Sequence, residues 1–352
     1  MDVIVTPLVL PASAGEDTPV GSAFRAAVDL TNRVRTLYYG TPAVALAYAE
    51  ALALYRGNTN EKVVNLVAHD GGRLVGRATW WLPQLESLTM IEGNWAADPD
   101  LPDAGRRAVA EAFLDALESH ADEVSRNWLL VEVPCEPGSL VPTSGVGGAD
   151  PAGPDSAALL GRGFSLEQIY RYQLADLAAL PDLDARLAAA ASEGYQVVTW
   201  TGRVPPEHRA AFATLAGAMV AEIPSGGIEF EPQTWDDARL SEYESMQERA
   251  GRTLVGAIAL ASDGEPAGYT ELFVPGGQIG RQGDTLVLPA RRGRGLGRWL
   301  KLANLVQARD AFPALRFVTT DNAEENAWML AINDELGFST TLRQGYWQRR
   351  PR

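Results

Sequence analysis

The stretch Leu286-Val287-Leu288-Pro289-Ala290-Arg291-Arg292-Gly293-Arg294-Gly295-Leu296-Gly297 decides how this chain is read, because an apolar strand runs directly into a basic glycine loop that opens an amphipathic helix. Glycines at 293, 295 and 297 permit dihedrals other residues avoid and let the backbone approach a ligand closely. Several N–H groups can then converge on one anion at the positive end of the new helix. Arg292, Arg294 and Arg298 add charge-assisted contacts. The expectation is a pyrophosphate cradle, set against a plain solvated basic turn. Two nucleotide motifs fail on spacing. A Walker A loop ends in Gly-Lys-Ser/Thr, whereas Gly297 is followed by Arg298-Trp299. The dinucleotide fingerprint needs G-x-G-x-x-G, where this loop has G-x-G-x-G.

The loop resembles the acyl-CoA loop of the GNAT (Gcn5-related) N-acetyltransferases, V-x-P-x-x-R-G-x-G-x-G/A. Val287, Pro289, Arg292, Gly293, Gly295 and Gly297 fill every specified position. Downstream, the segment from Asn322 to Gly337-Phe338 resembles the family's later helix, which ends in a Gly-Phe entering a strand. The resemblance is clear over 195–352 and fainter over 1–180. It implies acetyl-CoA as co-substrate, held by Leu286, Val287 and Leu288 on a splayed strand and by the loop Arg292, Gly293, Arg294, Gly295, Leu296, Gly297 and Arg298. Asn326 matches the family asparagine that contacts CoA, and Asn322 is a further candidate contact, with helix capping as its other reading.

The same order of elements occurs twice. Val63–His69 and Arg73–Trp81 read as a hairpin about Asp70-Gly71-Gly72, and so do Leu254–Ala261 and Pro266–Val274 about Ser262-Asp263-Gly264. A broken helical region precedes each hairpin, and a helix then a strand follow it. Leu160-Gly161-Arg162-Gly163-Phe164 mirrors Asp334-Glu335-Leu336-Gly337-Phe338. The expected fold class is α/β, with two tandem GNAT-like domains, each a mixed, mostly antiparallel central sheet flanked by helices. Residues 1–180 form a degenerate copy and residues 181–352 the catalytic, acetyl-CoA-binding one. Where the phosphate loop should lie in the first copy stand Asp98, Asp100 and Asp103, which would repel a pyrophosphate. The Gly/Pro/Ser-rich run Pro137–Ser156 reads as a surface loop.

Amine acetylation needs a deprotonated nucleophile, an N–H donor for the developing oxyanion and a proton for the departing thiolate. The candidate bases are the strand carboxylates Glu271 and Asp284; the competing reading is that they simply face solvent by alternation. The family's usual acid is a tyrosine four residues before Gly-Phe, and here that position holds Asn333. Asparagine is no Brønsted acid at neutral pH, although its amide could hydrogen-bond a thiolate. Tyr346 is a candidate replacement. His69 and His208 are assigned no chemistry.

At 352 residues two domains are the prior. One cysteine and three scattered histidines suggest neither a disulfide framework nor a metal centre. No apolar run approaches the roughly 18 residues of a membrane span and no basic leader opens the chain, so a cytoplasmic address is expected. A net charge of −15 argues against nucleic acid as partner. The charge is unevenly spread, in that residues 281–352 carry 12 Arg/Lys and 7 Asp/Glu, a balance of +5, leaving −20 elsewhere. The functional expectation is acetyl-CoA-dependent N-acetylation of a small, cationic amine by direct attack on the thioester, in a monomer or homodimer resembling mycothiol synthase and antibiotic-modifying acetyltransferases. The alternative is a non-catalytic acyl-CoA-binding or ligand-sequestering protein on the same fold. A third reading keeps the fold with another acyl donor or a decarboxylation.

Overall fold

Each half of the chain spells out one order of elements in the computed structural model, which describes residues 1–350. The first half runs Val3–Pro7 (β1), Pro19–Tyr39 (α1), Tyr48–Arg56 (α2), Glu61–Asp70 (β2), Arg73–Pro83 (β3), Met90–Ala97 (β4), Asp103–Val124 (α3), Trp128–Pro134 (β5), Pro137–Leu140 (β6), Pro154–Gly161 (α4) and Ser165–Asp176 (β7). A short helix, Leu183–Ala189 (α5), leads into the second: Tyr195–Thr201 (β8), Arg209–Glu222 (α6), Asp237–Arg249 (α7), Thr253–Ala261 (β9), Pro266–Val274 (β10), Ile279–Val287 (β11), Leu296–Ala311 (α8), Phe317–Ala323 (β12), Ala327–Glu335 (α9) and Ser339–Arg349 (β13). Local signals set the bounds. Thr18 caps α1 through its side chain and Gly40, in the left-handed region, ends it. Gly163 and Gly337, both at positive φ, turn α4 and α9 into the strands that follow.

The central sheets of the two copies join into one continuous sheet of twelve strands, in the order β1-β2-β3-β4-β5-β13-β7-β12-β11-β10-β9-β8. The last strand of each half crosses to the other. β13 pairs with β5 through Gln344–Arg349, β7 pairs with β12 through Tyr170–Asp176, and β7 and β13 lie antiparallel at the centre. The exchange is anchored by packing. Trp347 of β13 is fully buried in the first lobe's core with Leu129, Val131 and Ile169, while Ala175 and Leu177 are buried in the second lobe's core with Val318, Leu336 and Phe338. Burying one such large side chain is worth about 1.5–3 kcal/mol. Sliding the lobes apart would expose several.

Helices cover both faces. Phe212, Leu215 and Leu240 of α6 and α7 pack on Tyr269, Phe273 and Leu286. Leu302, Leu305 and Ala308 of α8 pack on Val255, Leu272 and Val274 from the opposite side. Alternate residues of β10 thus meet different helices, as the pleat requires. Ion pairs tie the halves together: buried Glu50 on α2 accepts from Arg252 and Arg281, and Arg239 on α7 reaches Glu86 at 2.7 Å. Pro137–Ser156 is more anchored than a free surface loop. The N–H groups of Thr143 and Ser144 donate to the Leu166 and Glu167 carbonyls at 2.9 and 3.0 Å, next to the start of β7.

Candidate functional site

The site exists because β11 parts from its parallel neighbour. Only Ile279–Arg281 pair with Phe317–Thr319 of β12; from Gln282 onward β11 is held by β10 alone. A bulge between Thr270 and Leu272 sits opposite the point of separation, where the Gln282 side chain donates to the Glu271 carbonyl at 2.5 Å and to Thr270 Oγ1 at 2.9 Å. Bulges of this kind re-aim strands beside functional sites. Leu288 N–H donates to the Ala267 carbonyl, so by alternation the Val287 N–H and C=O face the gap. Between the strands opens a cavity of about 960 Å³ that runs from the glycine loop to Asp284, Asp321 and Tyr346.

At one end lies the loop. Gly293 and Gly295 take φ values of 77° and 73°, which glycine alone adopts freely. Gly295 caps α8, and the first helical bond is Trp299 N–H to its carbonyl, so the amides of Leu296, Gly297 and Arg298 precede any helical acceptor. A Cβ on Gly297 would come within 3.3 Å of Ile332, which fixes how tightly α8 meets α9. Arg292 and Arg298 line the cavity but are engaged, Arg292 with Glu222 at 2.6 Å and Arg298 with Glu335 at 2.7 Å. An incoming anion must compete for both. Leu286, Val287, Leu296, Asn322 and Asn326 also line it. Asn326 spends its Oδ1 on the Met329 N–H and so caps α9.

Two expected contacts lie elsewhere. Arg294 places its guanidinium over the Tyr195 ring, 5.7 Å from the centroid, and does not line the cavity. Leu288 is likewise outside, its N–H satisfied by Ala267 because β11 is still tied to β10 there.

At the other end the two carboxylates separate. Asp284 lines the cavity and meets the solvent there, while Tyr269 Oη donates to its Oδ2 at 3.1 Å. Desolvation by the surrounding protein raises its pKa, and the Tyr269 hydrogen bond opposes part of the rise. Glu271 is off the cavity wall, correcting the expectation that it reaches the substrate. It is buried on β10 between two neighbouring strands, with Tyr243 Oη donating at 2.6 Å. Burial, then the charge of Asp284, pushes it up to about 8. The charge of Asp284 thus disfavours ionisation of Glu271.

Asn333 also differs from its expected role. It is fully buried and off the cavity, with Oδ1 accepting from Lys301 Nζ at 2.6 Å and Nδ2 donating to Gln173 Oε1 at 2.9 Å. Its amide is committed to the protein, not to a thiolate. Tyr346 does line the cavity, with its ring 4.6 Å from that of Tyr170. Burial and Glu132 push its hydroxyl well above the ordinary tyrosine range.

Among the cavity residues not singled out from the sequence are Lys301, Asp321, Tyr170, Glu325 and Trp328. Lys301 is a charge between Leu300 and Leu302 on the mostly apolar helix α8, a signal that was readable. Asp321, pushed up to about 6 by burial, sits two residues from the end of β12. Tyr170 comes from the first half of the chain and reaches the cavity only through the strand exchange. Trp328 is 88% exposed on the cavity rim, unlike the buried Trp80 and Trp347. Among the described residues no His, Cys, Asp and Glu cluster is arranged to hold a metal, and no helix is long and apolar enough to cross a membrane.

Residues 222–338 match the Acetyltransferase (GNAT) family model, which spans the separated strands, the glycine loop and α9. The match supports acetyl transfer in general. Over the whole chain the structure is similar to a tandem GNAT protein from the clavulanic acid biosynthesis pathway, at 24% identity and a TM-score of 0.68, covering 99% of this chain and 98% of that one. It is also similar to a GCN5-related N-acetyltransferase from Sphaerobacter thermophilus, at 15% identity and a TM-score of 0.63, covering 99% and 96%. These likenesses establish a tandem GNAT fold. Comparison with curated proteins gives no match.

Proposed function

We propose that the chain is an acetyl-CoA-dependent N-acetyltransferase acting on a small amine that carries additional positive charge. The observation that carries this reading is that one cavity joins the glycine loop to a carboxylate of raised pKa across two separated strands. Acetyl-CoA would lay its pyrophosphate on the amides of α8's first turn and extend its acyl arm along Val287. The inward N–H of Val287 is the donor available to a thioester oxygen as charge develops there.

On the α6 and α7 side, Asp284 is the base that takes a proton from the attacking amine. Its raised pKa moves it toward neutrality, where such a group works best. Desolvation by the surrounding protein is what raises Asp284, against the Tyr269 hydrogen bond, and Glu271 stays off the cavity wall. The acceptor end is lined by Asp284, Asp321 and Glu325, with the Tyr170 and Tyr346 rings beside them. Carboxylates with aromatic faces suit a cation. Trp328, on the rim near the loop, is the candidate stacking surface for the nucleotide base.

The test is release of free thiol from acetyl-CoA by the full chain over a panel of neutral, monocationic and dicationic amines. Turnover should rise with the dications. Tight acetyl-CoA binding with no amine-dependent thiol release would favour the sequestering alternative.

A further inference from the structure

We infer that Lys301 is the proton donor to the departing CoA thiolate, taking the task that α9 leaves open by carrying Asn333 in place of a tyrosine. This rests on the acetyl-transfer reading above. Lys301 stands on α8 between Leu300 and Leu302, both fully buried, and is itself 1% exposed, yet it lines the cavity. Its Nζ donates to Asn333 Oδ1 at 2.6 Å and lies 3.9 Å from Met329 Sδ. Among the described residues it has no carboxylate within ion-pair distance, so Lys301 is a buried lysine without an ion-pair partner. An ammonium has three donors. One goes to Asn333 and one at most makes a weak contact with sulfur, with the Phe338 ring centroid also 5.4 Å from Nζ, which leaves a donor for the cavity that Lys301 lines.

The hydrogen-bond chain fixes this arrangement. Gln173 Oε1 accepts from Asn333 Nδ2, which turns the Asn333 carbonyl toward Lys301. A carbonyl accepts from the amine and the ammonium alike, so it orients Lys301 without neutralising it. The charged groups around Lys301 are Asp321 on β12, Asp284 on β11 and the Arg298–Glu335 pair linking α8 to α9. Burial lowers the lysine to about 7, and Asp321 opposes part of that fall. The donor is then more acidic than an ordinary thiol, at about 8.5. Transfer to a thiolate is downhill.

Donor and acceptor of protons approach from opposite faces of the sheet. α8 packs on the Val255 and Leu272 side, whereas Asp284 is held by Tyr269 on the α6 and α7 side. As the amine nitrogen bonds to the carbonyl carbon, its proton passes to Asp284. The C–S electron pair leaves with sulfur, which takes a proton from Lys301 Nζ. Transfer through cavity water from Asp284 to Lys301 restores both groups, and the products are the amide and CoA thiol.

The test titrates reduced CoA bound to the full chain, following thiolate absorbance with desulfo-CoA as blank. Bound to the wild type, the thiol should ionise at a lower pH than in free solution, because the thiolate holds the proton on Lys301. Lys301→Met should abolish the shift, keep desulfo-CoA affinity within about threefold and remove the high-pH fall of kcat. The wild-type measurement stands by itself if the variant does not fold. Ionisation as in free solution, or a shift that survives in Lys301→Met, would overturn the role of Lys301 while leaving acetyl transfer intact. Failure of the wild type to bind CoA at all would remove both.

Discussion

The two lobes share one order of elements but differ at the single place where strands can separate. In the second lobe the parallel pair β11 and β12 is joined over Ile279–Arg281 and then opens. In the first, β4 and β5 stay paired from Met90 to Asn94. Trp95 follows, buried against Phe113, with its indole N–H donating to Asp155 at 2.6 Å. The loop beyond it is closed as well. Asp98 is buried and held by Arg33 and by Arg73 at 2.6 Å, so it works less as a repelling charge than as a tie. Asp100 and Asp103 remain largely exposed. The small pocket beside Asp98 has about 310 Å³ against about 960 Å³ in the second lobe. One fold thus serves as a binding cleft or as a brace, depending on a few residues after the fourth strand.

The largest effect is expected from Gly295→Asp. It combines a side chain at φ 73° with a carboxylate in the anion's approach, and should weaken acetyl-CoA by more than roughly 100-fold in calorimetry with the fold retained. Unchanged affinity would erase the difference between the lobes. Asp284→Asn should lower kcat by roughly 10²–10⁴-fold with acetyl-CoA affinity little changed. The sign of the pH dependence follows from the raised pKa: the base works only once deprotonated, so kcat rises as pH climbs through that value, and the variant loses this limb.

Trp95→Ala probes the closed lobe. Removing this buried ring should cost about 3–5 kcal/mol in denaturant unfolding without creating a second CoA site, because Asp98 and its arginines still fill the loop. A second site in that variant would mean that Trp95 alone keeps the lobe shut. The smallest effect is expected at the rim, where Trp328→Ala should weaken acetyl-CoA about tenfold, the scale of one base–aromatic stack, and dephospho-analogues that keep adenine to the same degree. No change would place the base elsewhere.

The doubled order of elements was legible because hairpin alternation, helix periodicity and Gly-Phe turns are local signals. The exchange of β7 and β13 was not, since the hydrogen bonds each strand makes do not depend on which half of the chain completes the sheet edge. That hid Tyr170, which enters the cavity from the first half. Glu271 and Asp284 are alike in sequence, both polar residues on central strands. What separates them is that β10 keeps both neighbours and β11 loses one. The loop's glycines were readable at each position, but the direction of Arg294 was not, because a long side chain on an exposed loop can find Tyr195 as readily as a ligand. Lys301 was the readable signal passed over, a charge between two leucines on a largely apolar helix.

The measurement that bears most directly on the contrast between the lobes is the stoichiometry of acetyl-CoA binding to the intact chain by calorimetry, paired with CoA density in a soaked crystal. The first lobe lacks the glycine loop, and buried Asp98 with Arg33 and Arg73 fills the place where a pyrophosphate would sit. The account predicts one acetyl-CoA per chain, lying on the Arg292–Gly297 loop between β11 and β12. Two equivalent sites, or CoA density beside Trp95 and Asp98, would contradict it.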